Sequence, residues 1–347
     1  MGFSSALGWD NGIGLSPIGA DIASPKLIAL VANAGGLGLL VSPVNMYDAT
    51  LKAIRDTKKL TSKPFGDGTL LEFDQTNTVR KIFEEKLACM QVFWGGYPKE
   101  MVDEAHKNGV KILHQVGSVA DAEKAIVAAV DCIITQSVEA GGHVIGTVFR
   151  LNSFLPRIVD LVGDRNITVI VVGAIADPRG FYAALSLGAK GICMGTRFIA
   201  TKESYAHDYY KQRLLQYTGA DTEYTYLYSR ASWRETTRVL NTPFHQKWKP
   251  VPKDIENNED QPIIGYSIIY GGETILRRFA GQVANQTTVE EVENTVMYTG
   301  QGVGHVNDAP PAGDIVKNFI EGAEKIIKGL GSKFETPAGG VAVISLA

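Results

Sequence analysis

Along the first two hundred residues, short apolar runs rich in β-branched side chains alternate with longer amphipathic stretches. Period-2 and continuous apolar runs read as strands, and apolar positions spaced three and four apart read as helices, so the alternation predicts βαβ units and a parallel sheet. Eight runs are found, at 14–18, 37–41, 65–73, 88–94, 110–116, 132–136, 168–172 and 191–194. The helical stretches between them carry start signals: Ser24-Pro25 before 26–33, Ser118 before 119–128, and Asp177-Pro178 before 179–187. Eight units predict a closed (β/α)8 TIM barrel.

A doubly wound sheet is the alternative, but it would carry a Gly-x-Gly-x-x-Gly turn directly after its first strand, and none follows 14–18. The glycines of Asn33-Ala34-Gly35-Gly36-Leu37-Gly38 lie between a helix and a strand, where they read as a helix C-terminal cap with a tight turn. Beyond Thr201 the periodicity weakens. Residues 1–204 are therefore read as the barrel core, and 205–347 as a C-terminal extension of the same domain, packed on the barrel and closing its active site. Within it, 263–269 predicts a short strand and 289–297 and 315–328 predict helices. Residues 250–262 read as a solvated loop, and the last dozen residues, with Gly339-Gly340, as loosely ordered.

Composition then narrows the function. With 34 basic against 37 acidic residues and no Lys/Arg run, the chain lacks the charge to follow a nucleic-acid backbone, so a small-molecule ligand is expected. Cys89, Cys132 and Cys193 sit far apart in apolar runs without metal-ligand spacing, as reduced core residues of a cytoplasmic protein do. No run reaches the ~18 apolar residues of a membrane span. No metal site is expected.

In such barrels the reactive groups project from the C-terminal ends of strands, and a phosphate is commonly held after strands seven and eight. The seventh run ends Val172-Gly173-Ala174-Ile175-Ala176-Asp177 and the eighth ends Met194-Gly195-Thr196-Arg197. Gly173 and Gly195 allow backbone amides to approach phosphate oxygens, and the Thr196 hydroxyl can donate a further bond; tight turns alone would also use these glycines. The sixth run leads into Glu139-Ala140-Gly141-Gly142-His143, placing an imidazole on a glycine turn above the barrel mouth. There it can serve as acid, base or hydrogen-bond donor. Trp94, Tyr97 and Tyr298 are candidate pocket walls, and His114 is a packing or wall residue.

These three segments, with Ala32-Asn33-Ala34-Gly35-Gly36-Leu37-Gly38 and Gly300-Gln301-Gly302-Val303-Gly304, together resemble the nitronate monooxygenase (2-nitropropane dioxygenase-like) family, in the manner of its plant-type members. The resemblance spans nearly the whole chain. It implies an FMN-dependent barrel with the flavin phosphate on the Gly173-Ala174 and Gly195-Thr196 turns. It further implies that Ile18, Gly19 and Ala20 contact the flavin ring, that Gly68, Gln115, Gln136, Gly141 and Gly142 lie near it, and that the segment around Gln301 closes over it. His143 is then the catalytic residue, binding the nitro group or taking a proton from a neutral nitroalkane. The implied reaction oxidises alkyl nitronates with dioxygen to carbonyl compounds and nitrite. Three positions depart from the family pattern: Ala174 for the second glycine of a pair, Ser137 for a glycine, and Gly68 for an asparagine. An NAD(P)H-dependent FMN reductase acting on quinones or enoyl double bonds, and a non-redox barrel holding another phosphorylated metabolite, remain open at this stage. A homodimer is a further expectation.

Overall fold

The computed structural model describes residues 9–146, 148–228, 236–250 and 261–331. Most of the expected solvated loop and the expected loose C-terminal segment lie outside these residues.

Eight parallel strands close into a barrel: β1 (Ile13–Leu15), β2 (Leu37–Val41), β3 (Gly66–Leu70), β4 (Cys89–Phe93), β5 (Lys111–Val116), β6 (Cys132–Gln136), β7 (Thr168–Val172) and β8 (Gly191–Met194), with β8 returning to pair with β1. The helices between them are α1 (Pro25–Asn33), α2 (Tyr47–Leu60), α3 (Thr76–Glu84), α4 (Lys99–Lys107), α5 (Val119–Val127), α6 (Leu151–Val162) and α7 (Pro178–Ser186). The start signals act as capping chemistry predicts, each side-chain oxygen accepting from an otherwise orphaned N–H. Ser24 accepts from Leu27, Ser118 from Asp121, and Asp177 from Arg179 and Gly180.

Inside the barrel, Leu37, Leu39, Cys89, Leu113, Cys132, Ile134, Ile170 and Cys193 form a packed core. Burial pushes the Cys193 thiol up to about 12 and raises those of Cys89 and Cys132 as well, so all three are inert packing groups. The outward strand faces pack on the helices in a separate and larger cluster.

The helix of residues Ala312–Gly331, called α8 here, packs against α1 and α7 and fills the eighth helical position of the ring. The approach to α7 is close: a Cβ on Gly322 would lie 2.5 Å from the Pro178 ring. The chain thus leaves the barrel after β8, makes an excursion of more than a hundred residues, and returns to complete it.

The excursion holds two small sheets. One orders Thr222–Thr225, Thr237–Leu240 and Gly142–His143; the other orders Gly272–Arg277, Ile263–Ile269 and Val289–Glu290. Residues 289–297 differ from expectation. Their apolar positions 289, 292 and 296 mimic helical spacing, but Val289 and Glu290 pair with Ile263–Ile269, Val296 bridges to Val283, and only a 3-10 turn, Val292–Asn294, remains. Pairing across the sheet outweighs local periodicity here.

Candidate active site

A cavity of about 370 Å³ opens at the C-terminal ends of the strands, within the size range of small-ligand sites. β1 stops at Leu15 because Pro17 cannot donate to the ladder, and residues 16–19 then bend across the mouth. Ile18 and Gly19 wall the cavity from this loop, whereas Ala20 lies just past it, its N–H donating to the Tyr270 hydroxyl at 3.0 Å. Gly68 sits behind the wall: a Cβ there would meet Pro17 Cγ at 2.4 Å. Pro17 lines the cavity in its place, which gives a physical reason why no asparagine fits at this position.

The two turns expected to hold a phosphate face the same space. Gly173, Ala174, Gly195 and Thr196 all line it. Gly173 has φ +126° and Ala174 φ +56°, a left-handed pair that turns the chain sharply off β7. A Cβ added to Gly195 would find nothing nearer than Ile18 Cδ1 at 4.0 Å, so its missing side chain leaves open room on the cavity wall. The Thr196 hydroxyl accepts from the Gly300 N–H at 3.1 Å and keeps its own proton to donate. Arg197 next to it is buried and turned away, bonding Asp308 at 2.6 Å. Among the described residues, no Asp, Glu, Lys or Arg lines the cavity.

His143 is held above this space by three elements. Gly142 and His143 pair antiparallel with Arg238 and Thr237 of the excursion. Gln136, at the end of β6, donates from Nε2 to the His143 carbonyl at 3.1 Å and accepts the Ile145 N–H on Oε1 at 2.7 Å. Both ends of that carboxamide are therefore engaged within the protein, although Gln136 also lines the cavity. The Tyr298 ring lies 5.6 Å from the imidazole, tilted by 50°. Burial holds His143 down at about 4, so the imidazole is neutral near pH 7.

The tail segment forms the roof. A Cβ on Gly141 would lie 2.3 Å from Thr299 C, so only glycine permits this approach of the two backbones. Gly300 and Gly302 line the cavity, while Gln301 itself is fixed outside the lining, its N–H donating to the Glu139 carbonyl at 2.9 Å. Glu139 is not a site acid: its carboxylate accepts from the Leu151 N–H at 3.0 Å at the start of α6. Of the aromatic candidates, Trp94 and Tyr298 line the wall. Tyr97 is buried outside it, and so is His114, whose Nε2 lies 3.0 Å from the Gly95 carbonyl.

Gln115 lines the cavity with a partner that sequence reasoning missed. Gln91 Nε2 donates to Gln115 Oε1 at 2.8 Å, and the buried Gln91 Oε1 has no partner. The pair therefore keeps one acceptor, the buried Gln91 Oε1, and the Gln115 amide donor unspent on each other. A glutamine in the middle of the apolar β4 run was the signal available. Gly281 also lines the site but comes from the aperiodic excursion, where no signal marked it.

Comparison with known proteins agrees with this geometry. The chain is 30% identical over 340 residues to the (3aS,4S,5R,7aS)-5-hydroxy-7a-methyl-1-oxo-octahydro-1H-indene-4-carboxyl-CoA dehydrogenase of Rhodococcus jostii, covering 90% of this chain and 92% of that one. It is 26% identical over 348 residues to the nitronate monooxygenase of Neurospora crassa, covering 88% of each. The solved structure of FabK from Thermotoga maritima superposes with a TM-score of 0.76 at 26% identity, covering 95% of this chain and 97% of that one. The family model described as nitronate monooxygenase matches residues 12–95 and 75–322. A strand-end cavity roofed by glycine turns, the barrel around it and a family match over most of the chain agree: this enzyme is an oxidoreductase belonging to the nitronate monooxygenase family.

Proposed function

We propose that the chain is an FMN-dependent enzyme that oxidises alkyl nitronates with dioxygen, giving carbonyl compounds and nitrite. The carrying observation is that the Gly173-Ala174 turn, the Gly195-Thr196 turn and His143 wall one cavity.

The residues fit the cofactor. The open room at Gly195 would admit a phosphate oxygen to the backbone, and Thr196 has a proton to donate. The Gln91–Gln115 pair, with its unpartnered buried acceptor, suits the donor-and-acceptor edge of a flavin ring. Bound FMN supplies the electron sink and delivers electrons to dioxygen.

The chain's own residues orient the substrate and exclude water. Val41, Phe93, Trp94 and Tyr298 offer an apolar wall suited to an alkyl group. His143, neutral near pH 7, offers a hydrogen bond to a nitro oxygen. As a base it is weak at neutral pH, which disfavours proton removal from a neutral nitroalkane and favours nitronates that arrive already ionised.

A second reading is favoured by one observation, the 30% identity to a dehydrogenase of a CoA-linked substrate. In it the same cavity serves hydride chemistry with a pyridine nucleotide. Anaerobic mixing separates the two. Bleaching of the flavin by propyl nitronate and not by NADH or NADPH supports oxidation; bleaching by a pyridine nucleotide alone overturns it. A colourless protein that takes up no FMN removes both and leaves a barrel for another phosphorylated metabolite.

A further inference from the structure

We propose that the excursion's three-stranded sheet is a docking surface for a second copy of this chain, packed face to face about a two-fold axis. In this sheet Ile263–Ile269 is the central strand, flanked by Gly272–Arg277 and Val289–Glu290. One face, carrying Ile264, Ile269 and Leu276, is buried in the cluster that joins the excursion to the barrel mouth. The opposite face carries Ile263, Tyr266, Ile268, Ile275 and Val289, each between 41% and 53% exposed.

Register makes these five one patch. Tyr266 stands directly opposite Ile275 on one side and Val289 on the other, Ile268 opposite Glu273, and Ile263 opposite Arg277. Directly paired residues of an antiparallel sheet point to the same face. An apolar patch of this kind, on the order of a few hundred Å² and rimmed by charged residues, is of the size that is often functional on a protein surface.

Charge selects the occupant. Along the Gly272–Arg277 strand the outward positions read Glu273, Ile275, Arg277: an acid, an apolar centre and a base at equal spacing. Turn one copy over about an axis that lies in the sheet plane and crosses the strands. Ile275 then meets Ile275 of the other copy, Tyr266 meets Tyr266, and each Glu273 faces an Arg277. The alternative two-fold axis, parallel to the central strand through Tyr266, would exchange the sheet's two edges and carry Glu273 and Arg277 over the Val289–Glu290 side of the other copy, without that pairing. The face is thus complementary to itself in one orientation, as an isologous dimer requires, and aligned sheet-on-sheet packing is a standard arrangement. None of these residues lines the cavity, so assembly and catalysis can be measured separately.

Analytical ultracentrifugation of the full chain at low salt tests this. Wild type should sediment at twice the 37.5 kDa chain mass. Tyr266→Glu should be a monomer with unchanged circular dichroism. Glu273→Arg and Arg277→Glu should each weaken the dimer on the order of tenfold, and the double reversal should restore it, a rescue that damaged folding could not produce. A wild-type monomer at every concentration, a dimer indifferent to Tyr266→Glu, or a double reversal no better than the singles would each overturn the proposal.

Discussion

Gln136→Leu tests the strap that holds His143. The glutamine's two hydrogen bonds, to the His143 carbonyl and from the Ile145 N–H, fix the backbone immediately after the residue that carries the imidazole. Leucine keeps the bulk and leaves both backbone groups without a partner. A buried group left unsatisfied costs about 1–3 kcal/mol, so two cost about 2–6 kcal/mol if the turn stays closed. The turn has an escape, because opening toward solvent rehydrates both groups and lowers the stability cost to about 1–2 kcal/mol, the lost bonds alone. The penalty then moves to function, since the imidazole loses its fixed position, and a displacement of about 1 Å can cost on the order of a hundredfold in rate. Urea unfolding with flavin content and kcat/KM measured on the same samples separates the two. We expect stability to fall by at least about 1 kcal/mol and kcat to fall more than KM rises. Gln136→Glu keeps the acceptor for Ile145 and should recover part of both losses. If Gln136→Leu leaves stability within about 0.5 kcal/mol and turnover within about twofold, the strap has no such role.

Gly195→Ala should leave the apoprotein's stability within about 0.5 kcal/mol, since the added methyl meets only open space, while FMN affinity falls on the order of tenfold or more; calorimetry of apoprotein and holoprotein reads both. Buried neutral, His143 has its folded value near 4 against ~6.5 unfolded, so its contribution is intact above pH 6.5 and is lost as pH falls from there toward 4; wild type should lose up to about 3 kcal/mol more than His143→Asn over that window. Asp67 has the opposite sign. Burial raises it to about 7, with Ser42 Oγ at 2.5 Å on one oxygen and no partner on the other, so its destabilisation is absent below pH 4 and grows as pH rises toward 7. Asp67→Asn should therefore stabilise the protein by about 2–4 kcal/mol at pH 8 and by little at pH 4, read by denaturant melts at the two values.

The barrel was legible because each strand and helix there carries its own periodicity and caps: Ser24, Ser118 and Asp177 mark helix starts by chemistry that acts within four residues. The strand-end turns were legible for a similar reason, since the fold puts the ends of β7 and β8 on one rim whatever the loops do. What sequence could not show was pairing between distant segments. Thr237 and Arg238 brace the histidine turn from nearly a hundred residues away, and Gly300 reaches Thr196 across the roof. Gln136, expected to lie near the cofactor, spends both its polar groups on the chain, a division that depends on where residues 143 and 145 return. Residues 289–297 read as a helix because their apolar spacing fits one, yet the open edge of Ile263–Ile269 captured Val289–Glu290 as a strand and left only a 3-10 turn after it.

The central claim is that the turns ending β7 and β8 grip a phosphoryl group. Comparing the apoprotein's affinity for FMN with that for riboflavin, which lacks only the phosphate, measures it directly. Two or three hydrogen bonds to a charged group predict FMN binding on the order of a hundredfold or more tighter, with Gly195→Ala abolishing most of the difference. Equal affinities for the two flavins would contradict the account.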